Sequence, residues 1–184
     1  GQYSNGKKNG IGRYQWPSGE VYEGEWKNNL LDGLGIYYFT NGRIYKGYWK
    51  DSVKCGYGEY SWDDKGYIGY YKDDKKNGFG VYYWKKQIKV YIGFGKNGQM
   101  NGVGKFMTKS RCETGIWACG RKISLIDQAK LEEELKKDDS MKYMFYFNST
   151  LDEIMEYINE MTAEKVTQED VKDLATPSIV FIQK

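Results

Sequence analysis

Through most of the first 124 residues, apolar and polar positions alternate with a period of two. In Tyr22-Glu23-Gly24-Glu25-Trp26 the odd-numbered pair Glu23 and Glu25 falls on one side and Tyr22, Gly24 and Trp26 on the other, the signature of a half-buried strand. The same five-residue pattern returns as Tyr45 to Trp49, Tyr67 to Tyr71 and Tyr91 to Gly95, and decays to Glu113-Thr114-Gly115-Ile116-Trp117. In phase with it runs a G-x-G pair, at Gly10/Gly12, Gly33/Gly35, Gly56/Gly58, Gly78/Gly80 and Gly102/Gly104, in steps of 23, 23, 22 and 24 residues. Each pair is followed by an aromatic ring, at Tyr14, Tyr37, Tyr60, Tyr82 and Phe106. Two motifs locked in phase over five copies define an internal repeat, and a fixed period of this length means a repeated supersecondary unit. Each period reads as a hairpin: a first strand, a polar loop such as Lys27 to Asp32, a second strand over Gly33 to Phe39, and a tight turn at Asn41-Gly42. Short connections between strands give an antiparallel meander. The predicted fold is therefore mainly β, an elongated, twisted single-layer sheet with equivalent residues about 10 Å apart at about 4.8 Å per strand.

Glycine weakens a strand unless something uses the bare backbone. Here Tyr22, Gly24, Trp26, Gly33, Gly35 and Tyr37 share a face, so a ring from one strand can lie across the glycine of the next. This produces a pavement of rings able to serve as a core without a second layer. The opposite face changes along the array. It carries Glu23 and Glu25 first, then Lys46 and Tyr48, Ile68 and Tyr70, Ile92 and Phe94, joined by Ile36, Tyr38, Val81 and Tyr83 from the second strands. Isolated exposed tyrosines are ordinary, but rings and aliphatics accumulating on one face point to a covering partner. Tyr38, Tyr48, Ile68, Tyr70, Tyr83, Ile92 and Phe94 are the candidate protein-contact residues.

After residue 124 the period changes. Residues 125–137 read as an amphipathic helix. A clearer helix follows, opened by Ser149 with Asp152 or, one register later, Thr150 with Glu153 as a capping box, and carrying Leu151, Ile154, Met155, Ile158 and Met161 on one stripe. A third short helix is expected from Thr167, stopped by Pro177, before a strand-like Ile179 to Ile182. Sixty residues rarely build a robust core alone, so these stripes call for a partner. The expectation is that this region folds back on the second face of the sheet; the rival is a homodimer in which two tails or two sheet faces meet.

Composition sharpens the division into residues 1–124 and 125–184. All 23 Gly and all 6 Trp lie in the first part. Residues 1–124 hold 21 Lys and Arg against 11 Asp and Glu, net +10, whereas residues 125–184 hold 7 against 14, net −7. The overall +3 conceals a basic part joined to an acidic one. There is no His, which removes His-dependent triads and His-bearing zinc sites, and Cys55, Cys112 and Cys119 have neither the number nor the spacing of a structural zinc site. No G-x-G-x-x-G opens a helix, so the glycines are not phosphate loops. Neither cofactor nor metal nor catalytic residue is expected. Arg is scarce and no RNA-binding signature occurs, so nucleic acid is not the expected partner. Lysine recurs at one repeat position, Lys27, Lys50, Lys72 and Lys96; this suits either anionic lipid headgroups, at roughly 1 kcal/mol per basic residue, or simply a solvated turn.

The stretches YEGEWKNNLLDGLGIYYFTNG (22–42) and YKGYWKDSVKCGYGEYSW (45–62), with weaker copies after them, closely resemble the MORN (membrane occupation and recognition nexus) repeat. The resemblance covers about residues 1–120. By it, Gly1 to Gly10 aligns with Gly24 to Gly33, so the sequence is expected to begin mid-repeat. The resemblance implies an elongated sheet and a non-catalytic scaffolding or tethering role in the cytoplasm, at the cytoskeleton, cilium or cell cortex. Its alternatives are a peripheral membrane adaptor for anionic phospholipids or the targeting segment of a longer enzyme.

Overall fold

The computed structural model describes residues 1–163; the helix expected from Thr167 and the strand-like Ile179 to Ile182 lie outside the described residues. A small hairpin, β1 (Tyr3–Ser4) and β2 (Lys7–Lys8), precedes the main sheet. The sheet comprises β3 (Gly10–Gln15), β4 (Val21–Lys27), β5 (Leu30–Tyr38), β6 (Ile44–Lys50), β7 (Val53–Trp62), β8 (Lys65–Lys72), β9 (Lys75–Trp84), β10 (Lys89–Lys96), β11 (Gln99–Thr108), β12 (Arg111–Ala118) and β13 (Arg121–Leu125). All eleven strands lie in chain order, each antiparallel to its sequence neighbours, as the meander reading requires. Helices α1 (Gln128–Lys137), α2 (Met144–Asn148) and α3 (Leu151–Ala163) follow, with one 3₁₀ turn at Met141–Tyr143.

One row of ten glycines crosses ten strands without interruption: Gly12, Gly24, Gly35, Gly47, Gly58, Gly69, Gly80, Gly93, Gly104 and Gly115 are successive cross-strand partners. A tyrosine lies over every second pair. A Cβ placed on Gly35, Gly58, Gly80 or Gly104 would overlap the ring of Tyr22, Tyr45, Tyr67 or Tyr91 respectively. These four tyrosines are almost wholly buried. Just beyond each pair the ladder skips one residue, at Glu25, Tyr48, Tyr70 and Phe94. The overlying hydroxyl donates to the carbonyl of that skipped residue: Tyr22 to Glu25 at 3.0 Å, Tyr45 to Tyr48 at 3.1 Å, Tyr67 to Tyr70 at 3.0 Å and Tyr91 to Phe94 at 3.2 Å. The bulge also explains the first glycine of four of the five G-x-G pairs, since Gly33, Gly56, Gly78 and Gly102 lie opposite it at positive φ, three of them near +100°, a conformation closed to most side chains.

Two-residue connections occur at both hairpin ends: Asp63-Asp64 and Lys109-Ser110 lie at the end where Asn41-Gly42 was expected to turn tightly, and others lie at the opposite end. Asn28-Asn29, Asp51-Ser52 and Asp73-Asp74 all have positive φ at both positions, the two-residue turn that matches strand twist. The expected loop Lys27 to Asp32 is thus only two residues long, and Leu30 to Asp32 already belong to β5. Asn41-Gly42 instead lies in a wider loop closed by Phe39 N–H to the Arg43 carbonyl at 2.9 Å. The Asp51-Ser52 and Asp73-Asp74 turns also bond to the preceding repeat: Ser52 N–H donates to the Leu31 carbonyl at 2.8 Å and its Oγ accepts from Leu31 N–H at 3.1 Å, with Asp74 and Lys54 paired likewise at 3.1 and 2.8 Å.

The first helix is shorter than its periodicity suggests, because residues 121–125 extend the sheet as β13 and Asp127 caps α1 by accepting from Lys130 N–H at 2.8 Å. At α3 the Thr150–Glu153 register wins: Thr150 N–H donates to Glu153 Oε2 at 2.8 Å and Glu153 N–H to Thr150 Oγ1 at 3.2 Å. Ser149 turns back to the Phe145 carbonyl at 2.9 Å and closes α2.

Trp49 is buried edge-on against Tyr45 at 5.0 Å and Tyr22 at 5.9 Å. Trp49→Ala should cost about 3–5 kcal/mol in equilibrium urea melts. Gly58→Ala should be at least as damaging, because its methyl group has to displace the Tyr45 ring; a loss under about 1 kcal/mol in both would mean that the ring face is not the core.

Candidate interaction surfaces

The two sheet faces bury different things. The glycine face holds Tyr22, Trp26, Leu31, Tyr45, Trp49, Tyr67, Tyr71, Tyr82, Tyr91 and Trp117 in one continuous cluster. On the second face, Ile68, Phe79, Val81, Tyr83, Val90, Ile92, Val103 and Met107 form a cluster with Leu131 and Leu135 of α1, Phe147 of α2, and Ile154, Tyr157 and Ile158 of α3. The fold-back expected from the apolar stripes is present, with Leu151, Met155 and Met161 packed at its margin.

Of the candidate contact residues, Ile68, Tyr83 and Ile92 are therefore covered by the chain's own helices, and Phe94 is half-buried beside Tyr143 at 5.7 Å. Tyr70 remains 43% exposed, while Tyr38 and Tyr48 are half-buried. Sequence reasoning missed the groups that fasten the helices. Tyr143 stacks on Phe79 with centroids 4.0 Å apart and planes within 11°. Lys105 in β11 donates from Nζ to the carbonyls of Phe147 at 2.7 Å and Ser149 at 3.0 Å, satisfying a helix end that would otherwise lack partners. Lys85 reaches Thr162 Oγ1. The hydroxyls of Tyr57 and Tyr157 are hydrogen-bonded under the helices, and burial pushes both well above the usual phenol range. Only the aromatic run Met141 to Phe147 hinted at this, and it has no period to read.

Lys27, Lys50, Lys72 and Lys96 are the last residues of β4, β6, β8 and β10, so they line one end of the sheet on alternate strands, all exposed. Lys50 pairs with Asp32 at 2.9 Å, which lowers the Asp32 carboxyl and raises the Lys50 ammonium. Acidic turn residues Asp51, Asp73 and Asp74 interrupt the row.

A second lysine position lies on the ring face. Lys8, Lys54 and Lys76 occupy one repeat slot, filled by Leu31 and Met100 elsewhere. Lys54 lies over Tyr45 at 5.6 Å and pairs with Asp74 at 3.6 Å. Lys76 sits among Tyr82, Tyr67 and Trp62 at 4.7, 5.0 and 5.9 Å, and Gly98 stands where Asp74 stands for Lys54. Burial lowers its ammonium to about 8; the surrounding rings offset part of that cost.

A family model for the MORN repeat matches residues 1–21, 22–42, 45–66, 67–87 and 91–111, more than half of the chain. The chain belongs to the MORN-repeat family. Comparison with curated proteins finds no match. Four of the five MORN matches begin at Tyr22, Tyr45, Tyr67 and Tyr91, the four tyrosines that overlie the glycine row. Beyond the last match, β12 and β13 add a degenerate MORN hairpin that keeps Gly115 in the row and Trp117 against Tyr91 at 5.2 Å. No helix among the described residues is long and apolar enough to cross a membrane. No group of three or more Cys, Asp or Glu able to hold a metal occurs among them.

Lys105→Met keeps the stem and removes the donor. It should cost about 1–3 kcal/mol by orphaning buried carbonyls, and hydrogen exchange should speed up in α3 while the β4–β7 amides keep their protection. Lys76→Met copies Met100 and should stabilise the MORN array by about 1 kcal/mol at pH 7. Below about pH 8 the lysine is charged in both folded and unfolded chains, so the burial cost is full; between about 8 and 10.5 the folded chain sheds its proton first and stability rises with pH. Urea melts at pH 7 and pH 10 should therefore show the variant's advantage shrinking at the higher pH.

Proposed function

We propose that the chain is a non-catalytic scaffold that tethers a partner protein within a cytoskeletal, ciliary or cell-cortex assembly in the cytoplasm. MORN repeats are in general non-catalytic modules that meet membranes or proteins. The observation that carries the reading is the disposition of the exposed groups. The rings of the glycine face are consumed by packing, and the second face is sealed by helices over β8–β11. What remains at the surface is repetitive, including Tyr70 at 43% exposure and half-buried Tyr38 and Tyr48 on neighbouring repeats. Repetition along an array suits extended contact, with a polar, ring-bearing surface typical of non-obligate protein interfaces.

The row Lys27, Lys50, Lys72 and Lys96 favours a second reading, attachment to anionic phospholipid. Four ammonium groups about 10 Å apart along one sheet end can meet a flat surface together.

One set of variants separates the two. Tyr38→Ala/Tyr48→Ala/Tyr70→Ala should abolish recovery of a specific partner in affinity purification from cells while vesicle binding is unchanged. Charge reversal of the four lysines to Glu should weaken co-sedimentation with phosphatidylserine vesicles by more than tenfold only if lipid is the target. Tyrosine variants that recover the same proteins as the wild type would refute the tethering surface.

A further inference from the structure

The outer side of the helical layer holds a groove of its own. It lies between α2 and α3, has a volume of about 340 Å³, and is lined by Phe145, Tyr146, Ile154 and Tyr157 with Glu153, Glu156 and Glu160. Phe145 is 48% exposed, an unusual exposure for a ring that has buried phenylalanine and tyrosine neighbours available. The glutamates stand at i, i+3 and i+7 of α3, so they flank the apolar floor over about two helical turns, or roughly 10 Å at 1.5 Å per residue. Glu153 spends one oxygen on the helix cap, and none of the three has an ion pair among the described residues. This contrasts with α1, where Glu133 and Glu134 are neutralised by Lys130 and Lys137.

We infer that this groove is a docking site for a basic amphipathic helix of a partner protein. The floor takes apolar side chains, and its volume suits two or three of them, presented at i, i+3 or i+4 of the incoming helix. The acidic rim selects Lys or Arg beside that apolar stripe and disfavours acidic helices by like-charge repulsion. A free polycation or a metal ion has no use for the floor. A second copy of the chain is a poor occupant: its lysine row sits on strand ends without a helical apolar stripe, and Lys130 and Lys137 of α1 are already paired. The groove shares no lining residue with the tethering tyrosines or the lysine row, although Tyr146 lies near Tyr70, so it adds a contact to that reading and the peptide assay reads it apart from partner recovery.

The test uses the full 184-residue chain and a fluorescein-labelled 14-residue Leu/Lys amphipathic peptide with leucines at i, i+3, i+4 and i+7, followed by fluorescence anisotropy at 50 and 300 mM NaCl. Saturable binding that weakens with salt is expected. Glu156→Lys/Glu160→Lys should weaken it at least tenfold, and Phe145→Ser at least threefold, with unchanged circular dichroism melts because all three side chains are exposed. Asp51→Lys/Asp73→Lys makes the same change in charge on the turn row and should leave binding unaltered. Absence of binding, an equal loss in the turn-row control, or full retention by Phe145→Ser would overturn the proposal. So would concentration-dependent dimerisation, measured by sedimentation, that the Glu156→Lys/Glu160→Lys change abolishes.

Discussion

The whole sheet depends on one contact: a tyrosine ring laid across a cross-strand pair of glycines, with its hydroxyl bonded to the carbonyl of the residue that the ladder skips. Three requirements meet in it. The ring needs a bare backbone, because any Cβ on Gly35, Gly58, Gly80 or Gly104 would occupy its place. The bulge needs a compensating donor, supplied by the phenol at 3.0–3.2 Å. The hydroxyl, buried in an apolar cluster, needs an acceptor, since an unpaired one would cost roughly 1–3 kcal/mol. Because the glycines of one repeat are covered by the tyrosine of the same repeat, and Tyr22, Tyr45 and Tyr91 also meet the Trp or Tyr of the next at 5.2–5.9 Å, neighbouring units complete one another. Nearest-neighbour completion of this kind makes a single-layer sheet stable as an array and not as an isolated hairpin.

Net charges of opposite sign invite an electrostatic account of how the helices attach, and the structure assigns them a smaller part. Among the described residues, every ion pair lies within the sheet region or within α1; none joins a helix to the sheet. The two lysines that do cross, Lys105 and Lys85, donate to neutral carbonyls and a hydroxyl. Exposed pairs are worth only about 0–1 kcal/mol, whereas a single well-buried Ile or Leu contributes roughly 1.5–3 kcal/mol. With Leu131, Leu135, Phe147, Ile154 and Ile158 all buried at the junction, apolar burial outweighs charge, and the excess negative charge of the helical layer stays directed outward.

The repeat, the meander and the helical stripes were legible because each is a period, and a period survives in the sequence whatever the surroundings. The width of each turn was not. Asn41-Gly42 reads as the tightest turn available, yet Asn28-Asn29 and Asp51-Ser52 form two-residue connections, because the side-chain bonds of Ser52 and Asp74 to the preceding repeat reward a turn there. The start of α1 was read three residues early for a related reason: Leu125 suits either element locally, and its pairing with Gly115 of β12 decides. The second face was legible as a set of positions but not by occupant. Ile68, Tyr83 and Ile92 differ from Tyr38 and Tyr48 only in what lies above them, and the fastening groups Lys105, Tyr57 and Tyr143 carry no pattern that separates them from any other lysine or tyrosine.

The division of labour between the two faces explains how so regular an array can hold its helices at one place. The slots that contact the glycine row barely vary, with Tyr22, Tyr45, Tyr67 and Tyr91 in identical roles. The slots facing the other way change from Glu23 and Lys46 to Ile68 and Ile92, cross-strand neighbours of Ile36, Glu59 and Val81. A helical segment able to bury an apolar stripe finds Glu23 and Lys46 opposing it towards the start of the array and Ile68, Val81 and Ile92 accepting it further on. Substituting the outward slots leaves the ring-over-glycine contact intact, so the docking address can shift along the sheet without altering the fold. At the far end the tyrosine itself is lost, and Glu113 at its position pairs with Arg111 and Lys122. Among the described residues β13 is the last strand of the sheet, so no further glycine pair there needs a covering ring.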